Sequence, residues 1–259
     1  MRSPAEVARA LELCARGLND CEISRRTGIP RGTIRDWRHG KVPRQDTVTG
    51  TRLGRNPCPV CYGMVHTLLS SSYAYLLGLY LGDGTITAGP RSVFRLKIFL
   101  DLRYPAIVEA CGDAMGSIFL TKVGRRESHD PRYPDGGMAV VYSYSKHWPC
   151  VFPQHGPGMK HTRSIVLTDW QEEVLRLFPD HLLRGLIHSD GCRSMNRVQK
   201  RRYSYPRYMF SNKSDDILDI FTRACDQIGV AWTRSRRDCI SVARTVDTAR
   251  LDTFIGPKR

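Results

Sequence analysis

The feature that most constrains this chain is a nine-residue pattern that occurs twice. Leu76-Leu77-Gly78-Leu79-Tyr80-Leu81-Gly82-Asp83-Gly84 returns as Leu183-Arg184-Gly185-Leu186-Ile187-His188-Ser189-Asp190-Gly191. Each copy reads as the end of a helix: an apolar run, small residues four apart (Gly78 and Gly82; Gly185 and Ser189), then Asp-Gly, where glycine suits a left-handed cap. Residues at i and i+4 share a helix face, so each helix carries a bare stripe that lets another backbone come unusually close. Two helices paired stripe to stripe bring their terminal carboxylates together at one end. An apolar helix ending in an acid is common once, but a nine-position match within one chain points to two halves built alike.

Both copies resemble the signature of the LAGLIDADG homing endonucleases in their single-chain, two-motif form. The residues that carry the resemblance are Gly78, Leu79, Asp83 and Gly84 in the first copy, and Gly185, Leu186, Ile187, Asp190 and Gly191 in the second. The two acids are 107 residues apart, about one half-domain of that family. The resemblance implies an α+β fold over residues 71 to 259, with two pseudo-symmetric αββαββα-like halves forming a saddle for double-stranded DNA. It implies a monomer that makes Mg²⁺-dependent double-strand breaks at a long asymmetric site. Asp83 and Asp190 would be the Mg²⁺ ligands, helped by carbonyls near Gly82 and Ser189. The family also places a basic residue, usually Lys, near each metal. Gly156-Pro157-Gly158-Met159-Lys160-His161 and Gly256-Pro257-Lys258-Arg259 echo one another late in their halves, which makes Lys160 and Lys258 the catalytic candidates, with Lys97 as an alternative.

Charge agrees with an anionic partner. The chain has 259 residues, a formal charge of +15 and a pI near 9.7, which favours nucleic acid first and an acidic membrane surface second. Residues 1 to 56 hold 12 basic against 6 acidic side chains and residues 190 to 259 hold 15 against 8, so the excess sits at both ends. No apolar run approaches the roughly 20 residues of a membrane span and no signal-peptide region opens the chain, so it is expected to be cytoplasmic. Nine cysteines with one close Cys-x-x-Cys pair do not form a secreted disulfide framework.

Along the chain, residues 1–42 read as three short helices. Val7, Ala10, Leu11, Leu13, Cys14 and Leu18 give the first an apolar face, and Gly17 ends it. Asn19 or Asp20 caps the second, Pro30 starts the third, and Ile34 and Trp37 face the core. Arg31, Thr33, Arg35 and Arg38 are then exposed, an arrangement that resembles a helix-turn-helix of the resolvase or transposase type. A plain helical bundle with a basic surface is the other reading. Residues 43–70 suit a linker, in which Cys58-Pro59-Val60-Cys61 is half of a zinc knuckle; Cys150, His155 and His161 could complete a structural Zn²⁺ site. Residues 71–180 form the first half and 181–259 the second.

Within the first half, strands are expected at 85–87, 92–100, 118–123 and 138–145, with helices at 104–115 and 170–178 and a polar loop at 124–137. Arg95 and Lys97 alternate with Phe94, Leu96 and Ile98 and point to the DNA side. In the second half a basic loop at 193–202 carries Lys200, Arg201 and Arg202 to the phosphates. It is followed by strands at 208–212, 231–235 and 239–242 and a helix at 215–228. A sequence-specific regulator that no longer cuts, or an intron maturase, would share all these features except a use for both acids.

Overall fold

The computed structural model describes residues 4–39, 68–129, 136–198, 203–256 and 258, in two units divided near residue 50. Cys58, Cys61, Lys200, Arg201 and Arg202 lie outside the described residues.

The first unit is α1 (Pro4–Ala15), α2 (Asp20–Thr27) and α3 (Arg31–Arg38). Asn19 accepts from the backbone of Cys21 and Glu22 while Glu22 reaches back to the Asn19 amide, a reciprocal cap that fixes where α2 begins. Gly28, at φ 68°, closes α2 in the left-handed region and turns the chain into α3. Val7, Ala10, Ile23, Ile29, Ile34 and Trp37 form its core.

The second unit is built on α4 (Ser71–Asp83), in which Tyr73 to Leu81 are all buried, and α8 (Pro179–Asp190). A helix apolar on every side belongs at the centre of a fold. The two helices cross glycine to glycine: a Cβ at Gly78 would lie 2.5 Å from the Leu182 carbonyl, and one at Gly185 would lie 2.2 Å from that of Tyr75. The bare stripe expected from the sequence is therefore the contact surface.

The first half continues with β1 (Gly84–Ala88), β2 (Phe94–Asp101), α5 (Pro105–Phe119), β3 (Val123–His129), β4 (Gly137–Ser145) and the single turn α6 (Trp148–Val151). After α7 (Asp169–Leu177) and α8 come β5 (Gly191–Val198), β6 (Tyr203–Ser211), α9 (Asp215–Gln227), β7 (Thr233–Arg236), β8 (Cys239–Val242) and α10 (Thr245–Asp252). The sheets run β1-β2-β4-β3 and β5-β6-β8-β7, antiparallel throughout. Gly84 pairs Ile98 in one and Gly191 pairs Phe210 in the other, so the two sheets share a strand order and both begin pairing at the motif glycine, although the second hairpin is longer. This is the α+β architecture of two like halves implied by the repeat.

Four expectations are corrected. Gly84 and Gly191 are extended (φ −91° and −105°), not left-handed; they are glycines because a Cβ would strike Tyr80 at 2.5 Å and Ile187 at 2.6 Å where the helix passes directly into a strand. Ile118 lies in α5 rather than in a strand, because Cys111, Met115 and Ile118 continue one buried helix face. The chain reverses at Leu120 (φ 50°), and the strand starts only at Val123, the last residue of the expected strand, and runs to His129 through a stretch expected to be loop. The stretch from Arg193 to Val198 is strand, paired with a β6 that begins at Tyr203. Finally, α10 has no counterpart among the expected elements.

Candidate active site and nucleic-acid interface

The close crossing of α4 and α8 brings their last turns side by side. A Cβ on Gly82 would lie 2.2 Å from Ser189 Oγ and 3.0 Å from Asp190 Oδ2, so the acid of one helix stands against the small residue of the other. Two cavities flank this meeting point. One, of about 380 Å³, is lined by Asp190, Gly82, Lys160, His161, Asn212 and Lys213. The other, of about 320 Å³, is lined by Asp83, Ser189, Lys258, Asp101, Arg103 and Cys192. Each pairs the acid of one helix with the last turn of the other and with the lysine that reaches that turn.

The lysines take matching positions. Lys160 Nζ donates to the carbonyls of Gly82 (3.0 Å) and Gly84 (2.6 Å). Lys258 Nζ donates to those of His188 (3.0 Å) and Ser189 (2.9 Å). Helix C-termini present unsatisfied carbonyls and partial negative charge, so an ammonium is held there. Gly158 and Gly256, two residues ahead of each lysine, both have φ 77°, a left-handed turn that aims the chain at the helix end. The echo in the sequence thus corresponds to one backbone device used twice. Lys97 instead lies on the sheet, paired in register with Thr85 and Tyr142.

Burial sets the electrostatics. Desolvation, and then the charge of Asp190, push the Asp83 carboxyl up to about 6 against the pull of both lysines. Desolvation also raises Asp190, opposed chiefly by Asn212, whose Nδ2 donates to Asp190 Oδ2 at 2.7 Å. The Lys160 ammonium is brought down to about 8 by burial, despite the two acids, and Lys258 is lowered for the same reason. The site is thus one in which an added cation would relieve both carboxylates.

Asn212, expected as the last residue of a strand, stands just past β6 and is not singled out by the sequence because it matches Leu100 in the first half, which carries no amide. The two cavities are unequal in another respect. Lys213, in the Asp190 cavity, matches Asp101 in the Asp83 cavity, where Asp101 is paired with Arg103 at 2.5 Å.

The sheet faces turned away from the core carry polar and aromatic side chains. Arg95 alternates with buried Leu96 and Ile98, and its guanidinium stacks 4.0 Å from the Tyr142 ring and 5.5 Å from that of Tyr144. Arg207 holds the same register position in the second sheet and donates to Ser241 Oγ at 2.7 Å. It is missed in the sequence because β6 was not expected to reach it. In the first unit Arg31 and Arg35 are exposed on α3 and Thr33 is half-buried. Arg38 donates to the Leu18 carbonyl at 2.7 Å and pairs with Asp20 at 2.8 Å, which ties α3 to the turn before α2.

Cys150, His155 and His161 do not converge. Cys150 is buried on α6, His155 packs edge-on against Phe94, and His161 is exposed at the rim of the Asp190 cavity. Among the described residues no group of three or more His, Cys, Asp or Glu side chains could hold a metal, so these three do not make the expected zinc site with one another. No helix among the described residues is long and apolar enough to cross a membrane.

Residues 1–40 match the homeodomain-like domain family. No curated protein matches the chain in sequence. Among solved structures, the homing endonuclease I-WcaI bound to its DNA recognition sequence is similar with TM-score 0.48 and 13% identity, over 80% of this chain and 91% of that one. A variant of I-DmoI in complex with its target DNA, in the presence of Mn, is similar with TM-score 0.42 and 16% identity, over 73% and 97%. The LAGLIDADG meganuclease I-AabMI bound to uncleaved DNA is similar with TM-score 0.42 and 11% identity, over 70% and 81%. The repeated motif, the glycine-crossed helix pair and the two matching sheets give the second unit two like α+β halves, the architecture expected from its resemblance to the two-motif LAGLIDADG homing endonucleases.

Proposed function

We propose that this protein is a site-specific DNA endonuclease of the homing type, which makes a Mg²⁺-dependent double-strand break in a long asymmetric duplex and leaves 3′-hydroxyl and 5′-phosphate ends. The observation that carries the reading is the pair of half-buried carboxylates at the meeting helix ends, each sharing a cavity with the last turn of the opposite helix and a lysine. Carboxylate and carbonyl oxygens are hard donors that suit Mg²⁺, and the ammonium groups drawn onto the same helix ends mark them as cation-attracting. Asp83 and Asp190, with the carbonyls of Gly82 and Ser189, would hold Mg²⁺, which supplies Lewis acidity toward a phosphate oxygen and lowers the pKa of water.

The remaining steps belong to side chains of the chain itself. Lys160 and Lys258 place an ammonium beside each acid, able to donate to a phosphate oxygen as negative charge builds there. Asn212 orients the Asp190 carboxylate. Two acids at matching helix ends, each in its own cavity, suit a task done once on each strand. Arg95, Lys97 and Arg207 on the sheet faces, with Lys200, Arg201 and Arg202 between β5 and β6, would contact the duplex. Arg31, Thr33 and Arg35 of the first unit would add affinity through their tether. On this reading the halves are residues 71–180 and 181–259, and one chain suffices.

Incubation with plasmid libraries and Mg²⁺ tests it: linear product with defined ends is expected. Binding without cleavage, even with Mn²⁺, would overturn it in favour of a silent regulator. Selective binding of group I intron RNA would favour a maturase.

A further inference from the structure

At one buried position the second motif carries a polar side chain, where His188 stands in place of Leu81. The His188 side chain is 3% exposed, and both ring nitrogens are engaged. Nε2 lies 2.7 Å from the Ile255 carbonyl oxygen, and Nδ1 lies 2.9 Å from the Tyr75 hydroxyl. A carbonyl only accepts, so Nε2 carries the proton, and Nδ1 accepts from Tyr75. The two partners thereby select one neutral tautomer. The Tyr75 ring meets the imidazole edge-on at 5.6 Å, and the Arg184 guanidinium covers the Tyr75 face at 5.0 Å.

Ile255 opens the segment that brings Lys258 to the helix end. Its side chain is fully buried, Gly256 then turns left-handed, and Lys258 donates to the carbonyls of His188 and Ser189. His188 therefore grips this segment twice, through its ring at Ile255 and through its own carbonyl at Lys258. The first half holds its lysine by other means. Arg163 clasps the Lys160 loop from within, donating to the carbonyls of Gln154 and Gly158, both at 2.8 Å. With that clasp in place, position 81 needs no polar atom, and Leu81 has none.

We propose that His188 is the positioning residue for Lys258: by holding the Ile255 carbonyl it sets the reach of the lysine into the Asp83 cavity, as Arg163 does for Lys160. The effect on cleavage rests on the endonuclease reading above; the effect on Lys258 does not.

The first test uses the full chain without DNA, treated with an amine-acylating reagent and read by mass spectrometry, with Lys160 as internal reference. His188→Leu leaves the buried Ile255 carbonyl and Tyr75 hydroxyl without their partner, and Lys258 should label about tenfold faster relative to Lys160. His188→Gln, whose amide can donate to Ile255 and accept from Tyr75, should restore protection. Tyr75→Phe frees the ring to take the other tautomer and should give intermediate labelling, which decides the question if His188→Leu does not fold. Wild-type labelling of Lys258 in the folded Leu or Phe variant overturns the proposal, as does unprotected Lys258 in a folded Gln variant. On an end-labelled duplex, His188→Leu should lose cutting of one strand and accumulate nicked product, whereas His188→Gln should cut both. Equal loss on both strands would also overturn it. A wild-type chain that never cuts DNA sinks the endonuclease reading alone, because the labelling result still decides the role of His188.

Discussion

Replacing Gly185 by alanine tests the helix crossing on which the whole site depends. The new Cβ would stand 2.2 Å from the Tyr75 carbonyl oxygen and 3.0 Å from both Gly78 Cα and Leu79 N. All three are backbone atoms, so no rotamer change gives relief. Contacts of this kind are at their best near 3.5 Å, and α4 and α8 must move apart by roughly 1 Å. Overpacking of this sort costs about 1–3 kcal/mol, and the immovable neighbours place this case at the upper end. Alanine gives back about 0.5–1 kcal/mol by stiffening the unfolded chain, for a net loss of about 2 kcal/mol. At Gly112, inside α5, an alanine methyl would meet nothing within 4 Å, so Gly112→Ala carries only the favourable part. Urea unfolding of the full chain, followed by far-ultraviolet circular dichroism, should move the midpoint of the second unit down for Gly185→Ala and up for Gly112→Ala. A Gly185→Ala variant as stable as wild type would refute the backbone-contact argument.

The remaining predictions concern charge. Asp83→Asn and Asp190→Asn should each abolish double-strand cutting while leaving DNA affinity unchanged; full activity in either single mutant would reduce these acids to helix-end residues. Asp83 is raised in the folded state to about 6, first by burial and then by Asp190. A carboxyl raised by folding stabilises below its unfolded value of about 4, and that contribution is lost as pH rises through the folded value. Asp83→Asn should therefore be more stable than wild type at pH 7 by on the order of 1–3 kcal/mol and should lose the decline between about pH 4 and 6. An unchanged pH profile in thermal melts would contradict this. Under the endonuclease reading, Arg31→Ala and Arg35→Ala should each weaken DNA binding at all sequences and lower the salt slope by about 1. A slope equal to wild type in both would remove α3 from the interface.

The helix pair is legible in the sequence because its geometry needs small residues at fixed spacing, and a periodic demand leaves a periodic trace. The lysines are legible for a related reason: Gly158 and Gly256 supply the same left-handed turn ahead of each. Elements whose inward faces are polar are hidden. Arg193 points to the core side of β5, where it pairs with Asp252 at 2.8 Å, and Tyr208 donates to the same carboxylate at 2.6 Å. That inward ion pair breaks the apolar alternation by which a strand is recognised, and β5 reads as a basic loop. The same carboxylate lies on α10, whose buried face includes Asp247 and Thr248, so this helix shows no apolar stripe either. Asn212 and Arg207 owe their places to register, which a sequence read strand by strand does not reveal.

The crossed ownership of the two cavities has a consequence for how such a chain can be divided. Asp190 belongs to one half, but Gly82 and Lys160 beside it belong to the other, and the reverse holds for Asp83 with Ser189 and Lys258. Each cavity is therefore a logical conjunction, complete only when both halves are present and in register. A half expressed alone would keep its lysine on its own helix end but lack the facing acid, unless a second copy were docked across the same glycines.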